Sequence, residues 1–290
     1  MSAAPGSGEA GGRAGGGGFA DLGPRVASAV VMVAVALATL YLGGDVFALF
    51  WLLAGFAINW EWQGLVGGPQ RRLRVAAGGA AAAALAALGG AGAGFVGWAA
   101  LAVAACAAAA AALAGSGRRL WAASGVVYAG APVFAVCLLR GSPDYGMLAI
   151  AFLFAVVWGT DVFAYFGGRL IGGPKLWPRV SAGKTWSGTI TGVLCGALLG
   201  VATVYFGAGP ALAGGKTFAV ALLAAAVSQA GDLFESSVKR TFGVKDSSRI
   251  IPGHGGVMDR LDGFIFASVL AAAIGMAGGG DSAAANLFSW

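Results

Sequence analysis

Ser236–Asp262, SSVKRTFGVKDSSRIIPGHGGVMDRLD, is a polar segment flanked on both sides by apolar runs of helix length. Its 27 residues include Lys239, Arg240, Lys245, Asp246, Arg249, His254, Asp259, Arg260 and Asp262. Ionisable groups are costly at a membrane edge, so a cluster of this density reads as a functional site. The flanks decide the fold: apolar runs near the length of a membrane span, repeated along the chain, predict an all-α polytopic membrane protein.

Composition agrees. The chain is 58% hydrophobic and 10% charged with a mean hydropathy of +0.81, whereas a soluble domain carries about 25% charged residues. The formal charge of +6 is assigned to topology and contact with anionic membrane lipid, and no nucleic-acid partner is inferred from it. Cys106, Cys137 and Cys195 lie in separate apolar runs without paired spacing, so they suggest buried thiols and no disulfide framework or zinc site.

Residues 1–24 are Gly-rich and lack an apolar core, which predicts a disordered cytoplasmic tail. No basic stretch runs straight into an apolar one there, so it does not resemble a signal peptide. A first span is expected over Val26–Leu42. Eight more are expected at about 46–66, 75–93, 95–114, 121–139, 146–166, 187–207, 216–234 and 258–277, each near the ~20 residues that cross a ~30 Å hydrocarbon core. Residues 25–140 then form an N-terminal set of transmembrane helices and 141–290 a C-terminal catalytic region. The Ala- and Gly-rich third and fourth runs read equally as small-residue packing or as compositional bias. With a cytoplasmic N-terminus and nine spans, every Lys and Arg except Arg140 and Lys216 falls on the inner side. The expected location is therefore the inner membrane, with the C-terminus outside and the polar loops 167–185 and 235–257 facing the cytoplasm. There is no soluble domain, so an active site has to be built from those loops and the cytoplasmic ends of the C-terminal helices.

The first loop begins beyond Asp161, a carboxylate inside an apolar run. Arg169, Lys175, Arg179 and Lys184 follow among closely spaced glycines and prolines. Glycines let backbone N–H groups approach an anion, and Ser181, Lys184, Thr185 and Ser187 stand at the mouth of the next helix, where phosphate binds readily. The GKT of residues 183–185 resembles the tail of a P-loop, but the upstream glycine spacing and preceding strand are absent. Positive-inside anchoring accounts for the loop equally well.

The second loop is more specific. Asp232 with Glu235, and Asp259 with Asp262, are i,i+3 pairs that each occupy one helix face. Two helices can thereby offer hard oxygen ligands to Mg²⁺, which takes one or two carboxylates together with phosphates and water. Lys239, Arg240, Lys245 and Arg249 would neutralise phosphate beside it. The bland alternative is a set of ion pairs such as Glu235 with Lys239. His254, the single histidine, is a candidate either for a general base or for positioning the loop. Around it Pro252, Gly253, Gly255 and Gly256 form a tight turn suited to a nucleotide or pyrophosphate.

The pattern S-x-V-K-R-x4-K-D-x-S-x2-I-P-G-H-G-G-x-x-D-R-x-D over Ser236–Asp262, with SQAGDLFESSVKR at 228–240 and the block from Asp161 to Gly188, resembles the phosphatidate cytidylyltransferases (CDP-diacylglycerol synthases). The resemblance covers the C-terminal half. One departure is visible: Ala182 and Ser187 stand where the family has a Pro and a Glu. The resemblance implies that CTP and phosphatidate give CDP-diacylglycerol and pyrophosphate with Mg²⁺, leaves room for a second, monovalent cation, and suggests a homodimer. It implies Asp232, Asp259 and Asp262 as metal ligands, with Asp246 and Asp161 as further candidates. It places Lys239, Arg240, Lys245 and Arg260 on phosphates, with Lys175 and Lys184 beside them, and Asp161, Ser181, Thr185, Arg249, Gly255 and Gly256 around the substrates. A polyprenol kinase or an archaeal-lipid cytidylyltransferase would use related chemistry. An ion-coupled transporter fits less well, because a permeation path needs polar groups at the midplane.

Overall fold

A computed structural model describes residues 22–289. Almost all of the expected tail at 1–24 lies outside the described residues. Nine α-helices occur among the described residues: α1 (Leu22–Leu42), α2 (Gly44–Val66), α3 (Arg71–Gly90), α4 (Val96–Ala112), α5 (Arg119–Gly141), α6 (Gly146–Leu170), α7 (Trp186–Ala208), α8 (Gly215–Thr241) and α9 (Met258–Ala277). Short 3-10 turns precede α4 and follow α9. Seven helices are long and apolar enough to cross a membrane, with the turn at Ala93–Phe95 continuing into α4 as one span. The remaining two fall outside that count. The apolar part of α1, Val26–Leu42, is shorter, and α2 carries Asn59, Glu61 and Gln63 toward its C-terminal end. The chain is thus an all-α, multi-pass membrane protein.

Three local features differ from expectation. α8 continues to Thr241, so Glu235 lies within the helix rather than at its end, and Lys239 and Arg240 sit on it rather than in a loop. α6 likewise runs on to Leu170, more than two turns past Asp161. Between α6 and α7 the chain forms an antiparallel hairpin, β1 (Lys175–Trp177) with β2 (Ser181–Thr185). The Ala-rich tract is helical, as the high helix propensity of Ala favours. Ala81, Ala82 and Leu85 of α3 are buried, whereas few residues of α4 are.

Two close approaches position the site. α6 and α7 make the most extensive helix pairing, because a glycine every four residues on α7 removes the side chains that would hold the backbones apart. A Cβ on Gly192 would lie 2.5 Å from the Thr160 carbonyl oxygen. On α8, Gly231 lets α9 approach so closely that a Cβ there would lie 2.6 Å from the Asp262 carbonyl oxygen. Asp232 and Asp262 are brought together by that contact.

An aromatic core ties the first helices to the last. Trp51 of α2 stacks on Phe264 of α9 with ring centroids 5.0 Å apart. Nearer the polar end, Trp62 of α2 lies 4.9 Å from Tyr128 of α5 and 6.3 Å from Phe234 of α8, and Phe234 lies 5.4 Å from Phe266 of α9. Trp62 is fully buried, and its indole N–H donates to Trp121 O at 2.7 Å, the partner a buried indole requires.

Candidate active site

A cavity of about 610 Å³ opens where the polar ends of α6, α7, α8 and α9 meet the hairpin. Asp161, Tyr165 and Arg169 line it from α6, Ser181, Lys184 and Thr185 from β2, Gln229, Asp232 and Lys239 from α8, and Asp259, Arg260 and Asp262 from α9. All three ion pairs found among the described residues lie here.

The first pair fixes the hairpin over α8. Lys184 Nζ lies 2.6 Å from Asp232 Oδ2 and donates to Gln229 Oε1 at 2.9 Å. Gln229 in turn faces Asp161, with Nε2 3.4 Å from Oδ1. The hairpin enters α7 through a local cap: the Thr185 hydroxyl accepts from Gly188 N at 3.1 Å, satisfying one of the N–H groups that a helix start leaves free. Ser187, which stands where the resembling family has a Glu, donates to Gly172 O and so pins the glycine turn after α6 to the start of α7.

The second and third pairs share one cation. Lys239 Nζ sits 2.7 Å from Glu235 Oε2, one turn away on α8, and 2.7 Å from Asp259 Oδ1 on α9. Glu235 has no angularly favourable hydrogen bond, so the ammonium is its partner. Asp259 is engaged on both oxygens, accepting also from Ser247 N and Ser247 Oγ at 3.0 Å each and from Gly256 N at 2.8 Å. Within the i,i+3 pairs the partners therefore diverge. Glu235 and Asp259 share Lys239; Glu235 lies behind the cavity lining, whereas Asp232, Asp259 and Asp262 all line it with Asp161. Asp262 accepts from the adjacent Gly263 N at 2.8 Å.

Among the described residues no three His, Cys, Asp or Glu side chains gather closely enough to hold a metal ion by themselves. The expected set of Asp232, Asp259 and Asp262 lines one cavity without forming a ready-made cage. Hard carboxylate oxygens lining an open cavity are of the kind that suits Mg²⁺, which completes its shell with phosphate oxygens and water.

Several expected residues lie outside the cavity lining. Arg240 is exposed and donates to Val244 O at 3.2 Å. Lys175 reaches Gly183 O at 3.4 Å within the hairpin. Lys245, Asp246 and Arg249 belong to the segment between α8 and α9. His254 Nδ1 lies 2.8 Å from Ser28 Oγ of α1, and that hydroxyl also donates to Pro252 O at 3.2 Å. The PGHGG turn is thereby strapped to the first helix. Gly255 and Gly256 hold the turn itself: Gly255 has φ of 81°, and Gly255 O accepts from Ile251 N at 2.9 Å.

Glu61 was absent from the sequence-based candidates. It is 1% exposed and accepts from Ser248 Oγ at 2.7 Å, Val257 N at 2.8 Å, Met258 N at 2.7 Å and Ser247 Oγ at 3.1 Å. The signal that could have found it is the one that marked Asp161, an acidic residue inside an apolar helix.

This fold and this site define a multi-pass membrane protein with acidic and basic side chains concentrated in a cavity at the ends of its C-terminal helices. The chain belongs to the cytidylyltransferase family, whose model matches residues 23–276. It is 41% identical over 252 residues to a protein of Brucella abortus biovar 1 (strain 9-941) named phosphatidate cytidylyltransferase, covering 87% of this chain and 92% of that relative. Proteins of the same name from Staphylococcus haemolyticus (strain JCSC1435) and Staphylococcus aureus (strain COL) are 45% and 44% identical over 121 residues, 42% of this chain and 46% of each relative.

Proposed function

We propose that the protein is a CTP:phosphatidate cytidylyltransferase that forms CDP-diacylglycerol and pyrophosphate for phospholipid synthesis. The observation that carries this reading is the single cavity in which Lys184, Lys239 and Arg260 meet Asp161, Asp232, Asp259 and Asp262 beside a capped helix start. A phosphate oxygen of phosphatidate attacks the α-phosphorus of CTP, the new O–P bond forms, and the bond to the β-phosphate oxygen breaks to release pyrophosphate. A phosphate monoester with a second pKa of about 6 is already largely ionised at neutral pH, so no strong base is required. The chemical difficulty is to bring two polyanions together and to stabilise the departing pyrophosphate, which fixed cations and N–H groups accomplish.

In this reading Lys184, Lys239 and Arg260 neutralise phosphate, and Ser181 with the start of α7 orients it. Asp232 and Asp262, with Asp161, would hold Mg²⁺ together with substrate phosphates. Asp259, whose oxygens are engaged by Lys239, Ser247 and Gly256, organises the site instead. Bound Mg²⁺ supplies electrostatic stabilisation of phosphate charge. His254, tied to α1, positions the turn. We extend the proposal to an inner-membrane homodimer with its polar end in the cytoplasm, an orientation supported by the bias of Lys and Arg.

The test is purified protein in detergent with phosphatidate, Mg²⁺ and CTP labelled at the α- or γ-phosphate. Label from the α-phosphate in the lipid, with pyrophosphate released, supports the proposal. Transfer of the γ-phosphate alone would make the protein a lipid kinase and overturn it. Light scattering of the same preparation checks the dimer.

A further inference from the structure

Glu61 belongs to α2, far in sequence from every residue placed on substrate, yet all four of its hydrogen bonds come from the segment that presents α9. Two donors, Val257 N and Met258 N, are backbone groups at the very start of that helix. A helix start leaves N–H groups without intrahelical partners, normally met by a Ser, Thr, Asp or Asn at the cap. Here the cap residue is Val257, which offers no side-chain bond. Glu61 supplies from another helix the oxygen that the local sequence lacks, and its negative charge complements the positive end of the α9 dipole.

The other two donors, Ser247 and Ser248, anchor the segment that joins α8 to α9. Ser247 Oγ lies 3.1 Å from Glu61 Oε2 and 3.0 Å from Asp259 Oδ2, so one hydroxyl stands between the two carboxylates. Gly256 is pressed against the same group, where a Cβ would lie 2.5 Å from Glu61 Oε1. Asp259, Arg260 and Asp262 all follow within the first turn or so of the helix that Glu61 caps.

We propose that Glu61 is a positioning residue for nucleotidyl transfer: from α2 it sets the start of α9 and the 247–257 segment, and through them the orientation of Asp259, Arg260 and Asp262. The inference rests on the proposed cytidylyltransferase activity and deepens it. Every bond Glu61 makes is accepted, and a carboxylate has the four acceptor directions this requires. Glu61→Gln keeps the shape but turns one oxygen into a donor facing donors. Glu61→Asp keeps the acceptors and shortens the reach.

The experiment measures kcat and KM for CTP in purified wild type, Glu61→Gln and Glu61→Asp, with hydrogen exchange at the amides of 256–259. For Glu61→Gln the expected result is a loss in kcat of roughly tenfold to a hundredfold, the effect of one or two charge-assisted hydrogen bonds. KM for CTP should change by less than about threefold. Faster exchange should be confined to the α9 start, and Glu61→Asp should recover part of the rate. A Glu61→Gln protein with wild-type kcat and unchanged exchange overturns the inference. So does a loss that follows only the fraction of folded protein. Should Glu61→Gln fail to fold, Ser248→Ala removes one donor from the same carboxylate and must still lower kcat by at least about threefold; wild-type turnover there also overturns it. Wild type that forms no CDP-lipid refutes the activity itself, whereas active wild type with indifferent variants refutes only the role of Glu61.

Discussion

Replacing Lys239 with Met tests the polar centre most directly. The ammonium is 2.7 Å from both Glu235 and Asp259, with side chains of Lys239, Glu235 and Asp259 only 12%, 0% and 3% exposed. Removing one partner of a buried ion pair typically costs about 3–5 kcal/mol, because a charge is left without compensation. Asp259 retains Ser247 and Gly256 as donors, so the penalty falls on Glu235, whose ion-pair partner is Lys239. At about 2–4 °C per kcal/mol for a domain of comparable size, Tm in detergent should fall on the order of 10 °C. Lys239→Met combined with Glu235→Leu should regain most of that loss, since apolar residues often replace a buried pair without penalty. Activity should stay low in both proteins, because the cation proposed for phosphate is gone. The reasoning is refuted if the single variant unfolds within about 1 kcal/mol of wild type, or if the double variant is no more stable than the single one.

Thr185→Ala should cost about 1 kcal/mol by removing the α7 cap, while Thr185→Ser should be nearly neutral; thermal unfolding compares them. Gly192→Ala places a methyl against the Thr160 carbonyl and should destabilise by about 1–3 kcal/mol, with activity falling as the α6–α7 pair separates from α8. Chelation should abolish turnover and added Mg²⁺ restore it, and Asp232→Asn should raise the Mg²⁺ concentration for half-maximal rate by about tenfold or more; an unchanged metal requirement would exclude Asp232 as a ligand. His254→Ala should lower kcat by less than about tenfold with an unaltered pH profile, and a loss nearer a thousandfold would identify a base.

The helices were legible because a bilayer permits few alternatives: apolar runs of spanning length must satisfy their own backbone groups. Residues of the family motif also converge: Asp232, Lys239, Asp259, Arg260 and Asp262 meet in one cavity. Partner choice was not legible. The i,i+3 spacing places Asp232 beside Glu235, but which of them faces the cavity depends on how α9 approaches across Gly231, a tertiary contact with no local signature. The end of α8 was also misplaced: Lys239 and Arg240 read as loop polarity, whereas the helix continues to Thr241 and buries the pair of Glu235 with Lys239. Glu61 escaped notice because its partners lie in the last part of the chain. His254 stood out as the single histidine, yet its neighbour is Ser28 of α1, nothing near it in sequence.

The bonds from Glu61 have a consequence for biogenesis. The carboxylate is synthesised early, and Val257, one of its donors, follows 196 residues later. Until then it has to wait, hydrated, at the bilayer surface, since burial without donors would be prohibitive. The charged pocket is therefore complete only once α9 stands beside α2, because Asp259, Arg260 and Asp262 all belong to that helix.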